Sequence, residues 1–405
     1  MRDRRKLKLK KFYFHPITVF IFLTFLVVLL SGLFSLLQVQ ATYNIVNVNT
    51  KELEPTLITV ENLLSFDGIK FIISNAAKNF LSFGPLGMLL LSLIGITVGE
   101  GTGFIETFTR RHLSKIPKAA LTFLVIFIAI TSSLINEVGY AILIPLVAIV
   151  YFINNRNPIL GIVTAFCGVS FGYGVSIFVG SMEIALMNYT KDAAMLIDDT
   201  THIALSSNLI FIIVTTIILS IVGTFTIEKI IAPRIGKYKK DDEFSKTETY
   251  KVINIEEEEQ RLIEKDKYEK KGLRSALIVS IIVLLIFIYS LIPNLPFSGL
   301  LLDMNEHTYV NQLFGENSYF VDGFTYMLAL FLIITGISYA IGAKSVKNDK
   351  ELVEKVRDNL KNLGIILALV FFASQFIAIF KETNIGTLIV VLLTDLLKAF
   401  RIEVD

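Results

Sequence analysis

AITSSLINEVGYAILIP, Ala129 to Pro145, lies inside an apolar run from Ala119 to Ile153, yet it carries a carboxylate, Glu137, with two serines, an asparagine, a glycine and a proline. The run is 35 residues long. As one helix it would measure about 52 Å at ~1.5 Å per residue, far more than a hydrocarbon core of about 30 Å. Two full crossings would need about 40 residues. A charge at mid-bilayer costs roughly 2.5–3.5 kcal/mol on insertion scales, so its presence there marks a functional position by default.

The rest of the chain decides how this run is used. Of its 405 residues 53% are hydrophobic, and the mean hydropathy is +0.65. That excludes an ordinary soluble enzyme, and the apolar residues come in blocks long enough to span a bilayer. Spans are expected at about 17–37, 85–108, 205–227, 273–292, 323–341 and 363–380, with a shorter one starting at 388–400. The first block is too long for a signal-peptide core, and no small-residue cleavage site follows Leu37.

Lys and Arg collect in cytoplasmic loops. MRDRRKLKLKK at the start has seven in eleven residues, which places residues 1–16 in the cytoplasm. TRRHLSKIPK, Thr109 to Lys118, returns to that side after the second span. If 119–153 crossed once, the Lys/Arg-rich segments Lys229–Arg274 and Lys344–Lys361 would both face outward. An even number of passes keeps both inside. The parity therefore predicts a re-entrant hairpin over 119–153, two half-length helices entering and leaving by one face, with SSLINEVG at its tip.

Non-helical backbone at membrane depth survives only against protein or a watery cavity. Ser132, Ser133, Asn136 and the backbone near Gly139 are the candidate ligands or hydrogen-bond partners, and Glu137 is the ionisable group. A satisfied buried acid that only ties helices together is the competing reading. The next block, 158–186, contains FCGVSFGYGVSIFVGSMEIAL, in which Gly168, Gly172 and Gly174 interrupt the helix, with Pro145 a further helix-break in the hairpin. Ser176 and Glu183 are accessory candidates there. Glycine also serves simple close packing, but interrupted helices facing a hairpin are how many secondary transporters build a midplane site.

Two stretches resemble each other: KNFLSFGPLGMLLLSLIGITVGEGTGFI from Lys78 and KNLGIILALVFFASQFIAIFKETNIGTLI from Lys361. Asn79 precedes Gly103 by 24 residues, and Asn362 precedes Gly386 by 24. Charge parity runs them in opposite directions, as an inverted repeat requires. The predicted organisation is a first membrane repeat over 17–230, a charged cytoplasmic connector over 231–272 and a partial second repeat over 273–405. A second hairpin would start near position 402, where this sequence stops.

Other chemistry is excluded by what is missing. There is no GxxxxGK[ST], HExxH, CxxC pair or nucleophile elbow, and GTG at Gly101–Gly103 is far short of a dinucleotide fingerprint. The single cysteine, Cys167, reads as a small core residue. His15, His112, His202 and His307 have no metal-ligand spacing. Neither an enzyme nor a bound cofactor or metal is expected, beyond a coupling ion near Glu137. The expected partner is the lipid bilayer, with no nucleic acid.

The chain resembles the p-aminobenzoyl-glutamate transporter (AbgT) family. The resemblance runs from HPITVFIF at His15 to the end, through NFLSFGPLGMLLLSLIGITVGEGTGFI, SSLINEVGYAILIPLVAIVYF, RNPILGIVTAFCGVSFGYG, EKIIAPRIGKY and ASQFIAIFKETNIGTLI. It implies an all-α polytopic membrane protein, an inverted-repeat secondary transporter with a re-entrant hairpin and a broken helix, here with its second repeat incomplete. It further implies a homodimer in the bacterial inner membrane that moves p-aminobenzoyl-glutamate or related aromatic anions, including sulfonamide-like drugs, coupled to Na⁺ or H⁺. Where the family has Asp-Ala-Gly-Tyr, this chain has Glu137-Val138-Gly139-Tyr140. Where it has Ser-Ala-Asn, this chain has Gly174-Val175-Ser176, and the family's following Asp matches Glu183. An inactive or split-transporter subunit, and a carrier of dicarboxylates or other anions, are the alternative readings.

Overall fold

A computed structural model describes residues 14–46, 53–135, 138–173, 175–180, 207–236, 255–315, 317–361 and 363–399, with a few single residues between 183 and 190. Among these, six helical segments are long and apolar enough to cross a membrane: Pro16–Leu36, Phe66–Gly101, Leu209–Ile235, Ile263–Tyr289, Tyr319–Ala343 and Leu363–Glu382. The chain forms two compact units, residues 1–86 with 362–405, and residues 87–361. Both units cut across the two repeats expected from the sequence.

The first unit contains α1 (Pro16–Leu36), β1 (Gln40–Val46), β2 (Leu53–Thr59) and α2 (Phe66–Leu81). Late in the chain come its α13 (Leu363–Glu382) and α14 (Ile385–Ala399). Pro16 starts α1 where a missing N–H costs nothing, and the His15 ring accepts from the Ile17 amide. An antiparallel ribbon, with Gln40 opposite Thr59 and Val46 opposite Leu53, lies between α1 and α2. Its residues, ATYNIV and EPTLIT, are rich in the β-branched types that favour extended chain. Pro55 is tolerated because each strand of a two-stranded ribbon has a free edge. Ala41 and Ile58 join Val27 of α1 and Ile379, Ile385 and Leu388 of α13 and α14 in one core. Gln375 donates to the Ala76 carbonyl at 2.9 Å and accepts from Asn79 at 3.3 Å.

The second unit holds most of α3 (Gly84–Gly101), then α4 (Phe104–His112), α5 (Lys118–Thr131), α6 (Val138–Ile153), α7 (Pro158–Phe171) and α8 (Leu209–Thr226). A π-turn, Ile227–Ile231, prolongs α8. The unit continues with α9 (Ile255–Tyr289), the short α10 (Tyr309–Phe314), α11 (Tyr319–Ala343) and α12 (Asp349–Asn359). The expected span 85–108 is cut short. Gly103 takes φ +80°, a conformation that glycine adopts without cost, so α3 stops at Gly101 and α4 starts afresh. From Ile255 the charged connector is continuous with the span after it: α9 runs unbroken through Gly272 and Leu273.

Small residues set the closest helix contacts, as expected where helices associate by packing in lipid. A Cβ on Gly272 of α9 would lie 2.6 Å from the Ala343 Cβ of α11, and one on Gly95 of α3 would lie 2.8 Å from the Ala329 Cα. Side-chain hydroxyls then meet across α9 and α11, Ser275 with Ser338 at 2.8 Å and Ser280 with Thr335 at 3.2 Å.

The break between α3 and α4 has a counterpart between α13 and α14. Thr102 and Thr383 are both fully buried, and each hydroxyl donates to the carbonyl three residues back. Gly103 and Asn384 follow with positive φ, +80° and +57°. The residue with positive φ at the second break is Asn384, two residues before Gly386.

Candidate functional site

Helices α5 and α6 have 14 and 16 residues, about 21 and 24 Å, and neither is long enough for a full crossing. They form a hairpin: Thr122 near the start of α5 hydrogen-bonds Tyr151 near the end of α6 at 2.9 Å, while a 3₁₀ turn, Ser132–Ile135, joins their other ends. α7 packs against both arms. A Cβ on Gly161 would lie 2.9 Å from the Val147 carbonyl of α6. One on Gly168 would lie 2.5 Å from the Ala129 Cβ of α5, and one on Gly172 would lie 2.6 Å from the Ile130 Cα.

Two of the expected helix-breaks are corrected here. α6 passes through Pro145 unbroken to Ile153, and α7 passes through Gly168 to Phe171. Loss of one amide donor at Pro145 leaves the surrounding turns intact, and Gly168 serves the contact with α5. The interruption comes at Gly172, which caps α7. Gly174 lies outside the described residues.

Residues 175–180, beyond Gly172, are non-helical, and their polar backbone is captured by neighbours. The Ser133 hydroxyl lies 2.8 Å from both the Ile130 and Val175 carbonyls and shares its proton between them. From α8, the buried Thr216 hydroxyl shares its proton between the Ile212 carbonyl of its own helix at 2.8 Å and the Ser176 carbonyl at 3.1 Å. Ser176 is itself buried, and its Oγ accepts from the Phe178 amide at 3.3 Å. The Glu183 carboxylate accepts from the Gly180 amide at 2.9 Å. Gly180 presses on the hairpin tip, where an added Cβ would sit 2.9 Å from the Leu134 carbonyl.

Ser132 donates to the Ala129 carbonyl at 2.6 Å, and any Cβ on Gly139 would collide with its Oγ. Glycine is therefore required at 139. The structure brings together Ser132, Ser133, Gly139, Gly172 and Ser176, with Glu183 attached through Gly180. Asn136 and Glu137 lie outside the described residues.

Beside Ser132 and Gly139 opens a cavity of about 500 Å³, walled by Phe127, Leu134, Ile142, Phe324, Leu328 and Phe331. Its size falls within the range of small-molecule pockets, and its walls suit an aromatic ring. A second cavity of about 490 Å³ lies among α5, α7 and α8 and includes Cys167 and Gly168.

Sequence reading missed three participants. Thr216 belongs to a stripe of Thr216, Ser220 and Thr224 at helical spacing on α8, a legible signal. Tyr140 donates to Ser170 at 3.1 Å, tying α6 to α7. The third is a buried ion pair at the hairpin's open end, Arg156 with Glu228 of the π-turn at 2.5 Å. Arg156 also donates to Thr122 at 2.9 Å and lies over the Tyr151 ring at 4.3 Å, and Thr122 donates to Glu228. Only its position next to Asn155 and Pro158, at a turn between two apolar helices, marked Arg156 in the sequence.

Among the described residues, six crossing-length helices, a hairpin of half-length helices and an interrupted helix packed against it define a polytopic helical membrane protein. The chain belongs to the AbgT putative transporter family, whose model matches residues 10–404. It is 26% identical over 385 residues to the p-aminobenzoyl-glutamate transport protein of Escherichia coli strain K12, covering 95% of this chain and 69% of that one. Its fold is similar to that of the YdaH transporter of Alcanivorax borkumensis, with a TM-score of 0.53 and 26% identity, over 95% of this chain and 74% of the other. It is similar as well to MtrF of Neisseria gonorrhoeae, described with a class of antimetabolite efflux pumps, with a TM-score of 0.52 and 29% identity, over 93% and 71% of the two chains.

Proposed function

We propose that this chain is a secondary transporter of p-aminobenzoyl-glutamate or a related aromatic anion, driven by a Na⁺ or H⁺ gradient. The observation that carries the reading is the non-helical stretch after Gly172, fastened by Ser133 and Thr216 against the hairpin tip beside an aromatic-walled cavity. Unwound backbone at a helix break is the recurring material of transporter ion sites. An aromatic ring suits the cavity, and the names of the E. coli and Neisseria relatives agree with an aromatic or antimetabolite cargo.

In this reading Glu137 takes the coupling ion, since an anionic substrate would be repelled by a bare carboxylate, and Asn136, Ser132 and Ser133 supply further oxygens. The matching breaks at Thr102–Gly103 and Thr383–Asn384 support an inverted repeat. The basic N-terminus supports a cytoplasmic start in the inner membrane. A homodimer is part of the same proposal, on the family resemblance.

The test is flux of labelled p-aminobenzoyl-glutamate into proteoliposomes under imposed Na⁺ or H⁺ gradients. Gradient-driven flux that Glu137→Gln abolishes is the expected result. Flux indifferent to both gradients, or unchanged in that variant, would reject the coupling role.

A further inference from the structure

A groove of about 740 Å³ lies between α4 and the first half of α9, away from the hairpin. Its floor is apolar, with Phe104 and Phe108 on one side and Leu273 and Leu277 on the other. Its rim is cationic. Arg110 pairs with Glu269 at 2.7 Å, Arg111 with Asp266 at 2.5 Å and Glu269 at 2.8 Å, and Lys270 with Asp266 at 2.7 Å. Three cations thus share two carboxylates. Lys115 and Arg274 also line the groove, and among the described residues neither has a carboxylate partner. The rim keeps an excess of three positive charges. Its bonds to Glu269 and Asp266 push the Arg111 pKa above its ordinary value, so that charge is permanent.

The floor continues into the exposed apolar strip of α9. Leu277, Ile278, Ile281 and Ile282 are all exposed, within a helix segment of crossing length. A soluble anion would use the rim and leave this floor wet. A zwitterionic lipid would carry its own cation into an already cationic rim. A headgroup of net negative charge on apolar tails matches both parts, and basic pockets beside membrane helices are suited to such headgroups.

We propose that this groove binds an anionic phospholipid, its phosphate held by Lys115 and Arg274 and its acyl chains lying on Phe108, Leu273 and Leu277. The ion pairs beneath are already formed, so the two unpaired cations are the ones available to the ligand. The site is independent of the transport reading.

The test compares binding of phosphatidylglycerol and phosphatidylcholine with identical acyl chains to the purified full chain in mixed micelles, read by mass spectrometry of retained lipid. A preference for phosphatidylglycerol of roughly tenfold or more is expected from two cations at the membrane surface. The double variant K115Q/R274Q should lower that preference to about twofold or less on the same reasoning, while K350Q, an exposed lysine of α12, leaves it intact. Because K115Q/R274Q breaks no ion pair, its melting temperature in detergent should match the parent. Equal retention of the two lipids, or an unchanged preference in the double variant, would overturn the proposal. So would displacement of phosphatidylglycerol by inorganic phosphate, which would make this a soluble-anion site, or by p-aminobenzoyl-glutamate, which would make it a substrate vestibule.

Discussion

Two regions of the second unit are built with the same small residues and come out differently. In the pair α9–α11, Gly272 and Gly342 bring the backbones together next to the end of α11 at Ala343, and along the continuous turns before it the hydroxyls pair with each other. In the cluster α5–α6–α7, Gly161 and Gly168 do the same for packing, but the helix then ends at Gly172. There the hydroxyls of Ser133 and Thr216 go to backbone carbonyls of the unwound chain. Glycine thus marks close packing in both. The difference lies in where the hydroxyls go: to each other between continuous helical turns in the first, and to carbonyls freed by unwinding in the second, since an unsatisfied polar group at membrane depth costs several kcal/mol.

The ion pair at the open end of the hairpin should carry the largest single effect on this contrast. Arg156→Met leaves the partly buried Glu228 without its cation, and breaking one side of a fully buried pair typically costs about 3–5 kcal/mol, so a loss of about 2–3 kcal/mol is expected. Thermal unfolding of the purified protein should show the loss, with flux falling in parallel because both arms of the hairpin lose their anchor. A variant with unchanged melting temperature would show that Thr122 and Tyr151 suffice.

Next come the two glycine contacts. Gly168→Val and Gly272→Val each force a side chain into a space already filled, at about 1–3 kcal/mol. The comparison expects different consequences for flux: loss in Gly168→Val at a temperature where it is still folded, and retention in Gly272→Val. Equal effects on flux would erase the distinction between a packing seam and a site.

The hydroxyl pair sharpens it further. Thr216→Val removes the side-chain donor to the Ser176 carbonyl and leaves a buried acceptor short, about 1–3 kcal/mol. Thr335→Val leaves only Ser280, whose hydroxyl can turn back to its own helix, so about 1 kcal/mol or less is expected. Transport should fall in the first variant and persist in the second.

The smallest effect is expected outside both regions, at α12. Asn348 caps this helix by accepting from the Glu351 amide at 2.9 Å, and the Glu351 carboxylate accepts from the Lys347 amide at 2.8 Å. Asn348→Ala should fray α12 by about 1 kcal/mol, seen as faster amide exchange with flux unchanged. The Lys347 amide, and then Lys355, hold Glu351 below its ordinary pKa. Its contribution is therefore full above the ordinary carboxylate range and is lost as pH falls through the lowered value. Protection of α12 should drop only in acid.

Long apolar blocks, their charge asymmetry and the length of the 119–153 run were sufficient to read a polytopic helical protein with a hairpin of two half-length helices. The reason is that lipid leaves the backbone few options and length alone decides what can cross. Spacing also pointed to Ser132, Ser133 and Gly139, because small and polar residues inside an apolar run are conspicuous. Which glycine ends a helix was not legible. Gly168 and Gly172 look alike in sequence and both press on α5, at Ala129 and Ile130, yet only the second caps α7. The same holds for Pro145, which the surrounding turns of α6 absorb.

Pairings between distant residues were decided by the tertiary structure alone. Arg156 finds Glu228 across 72 positions, and Arg111 finds Glu269 across 158. The ribbon of β1 and β2 is chosen by a core made with α13 and α14, more than 300 residues away. Local pattern records the solvent each residue must face. Partners for buried polar groups are chosen by whichever elements the fold brings within hydrogen-bond reach, and that information is held by the packed chain as a whole.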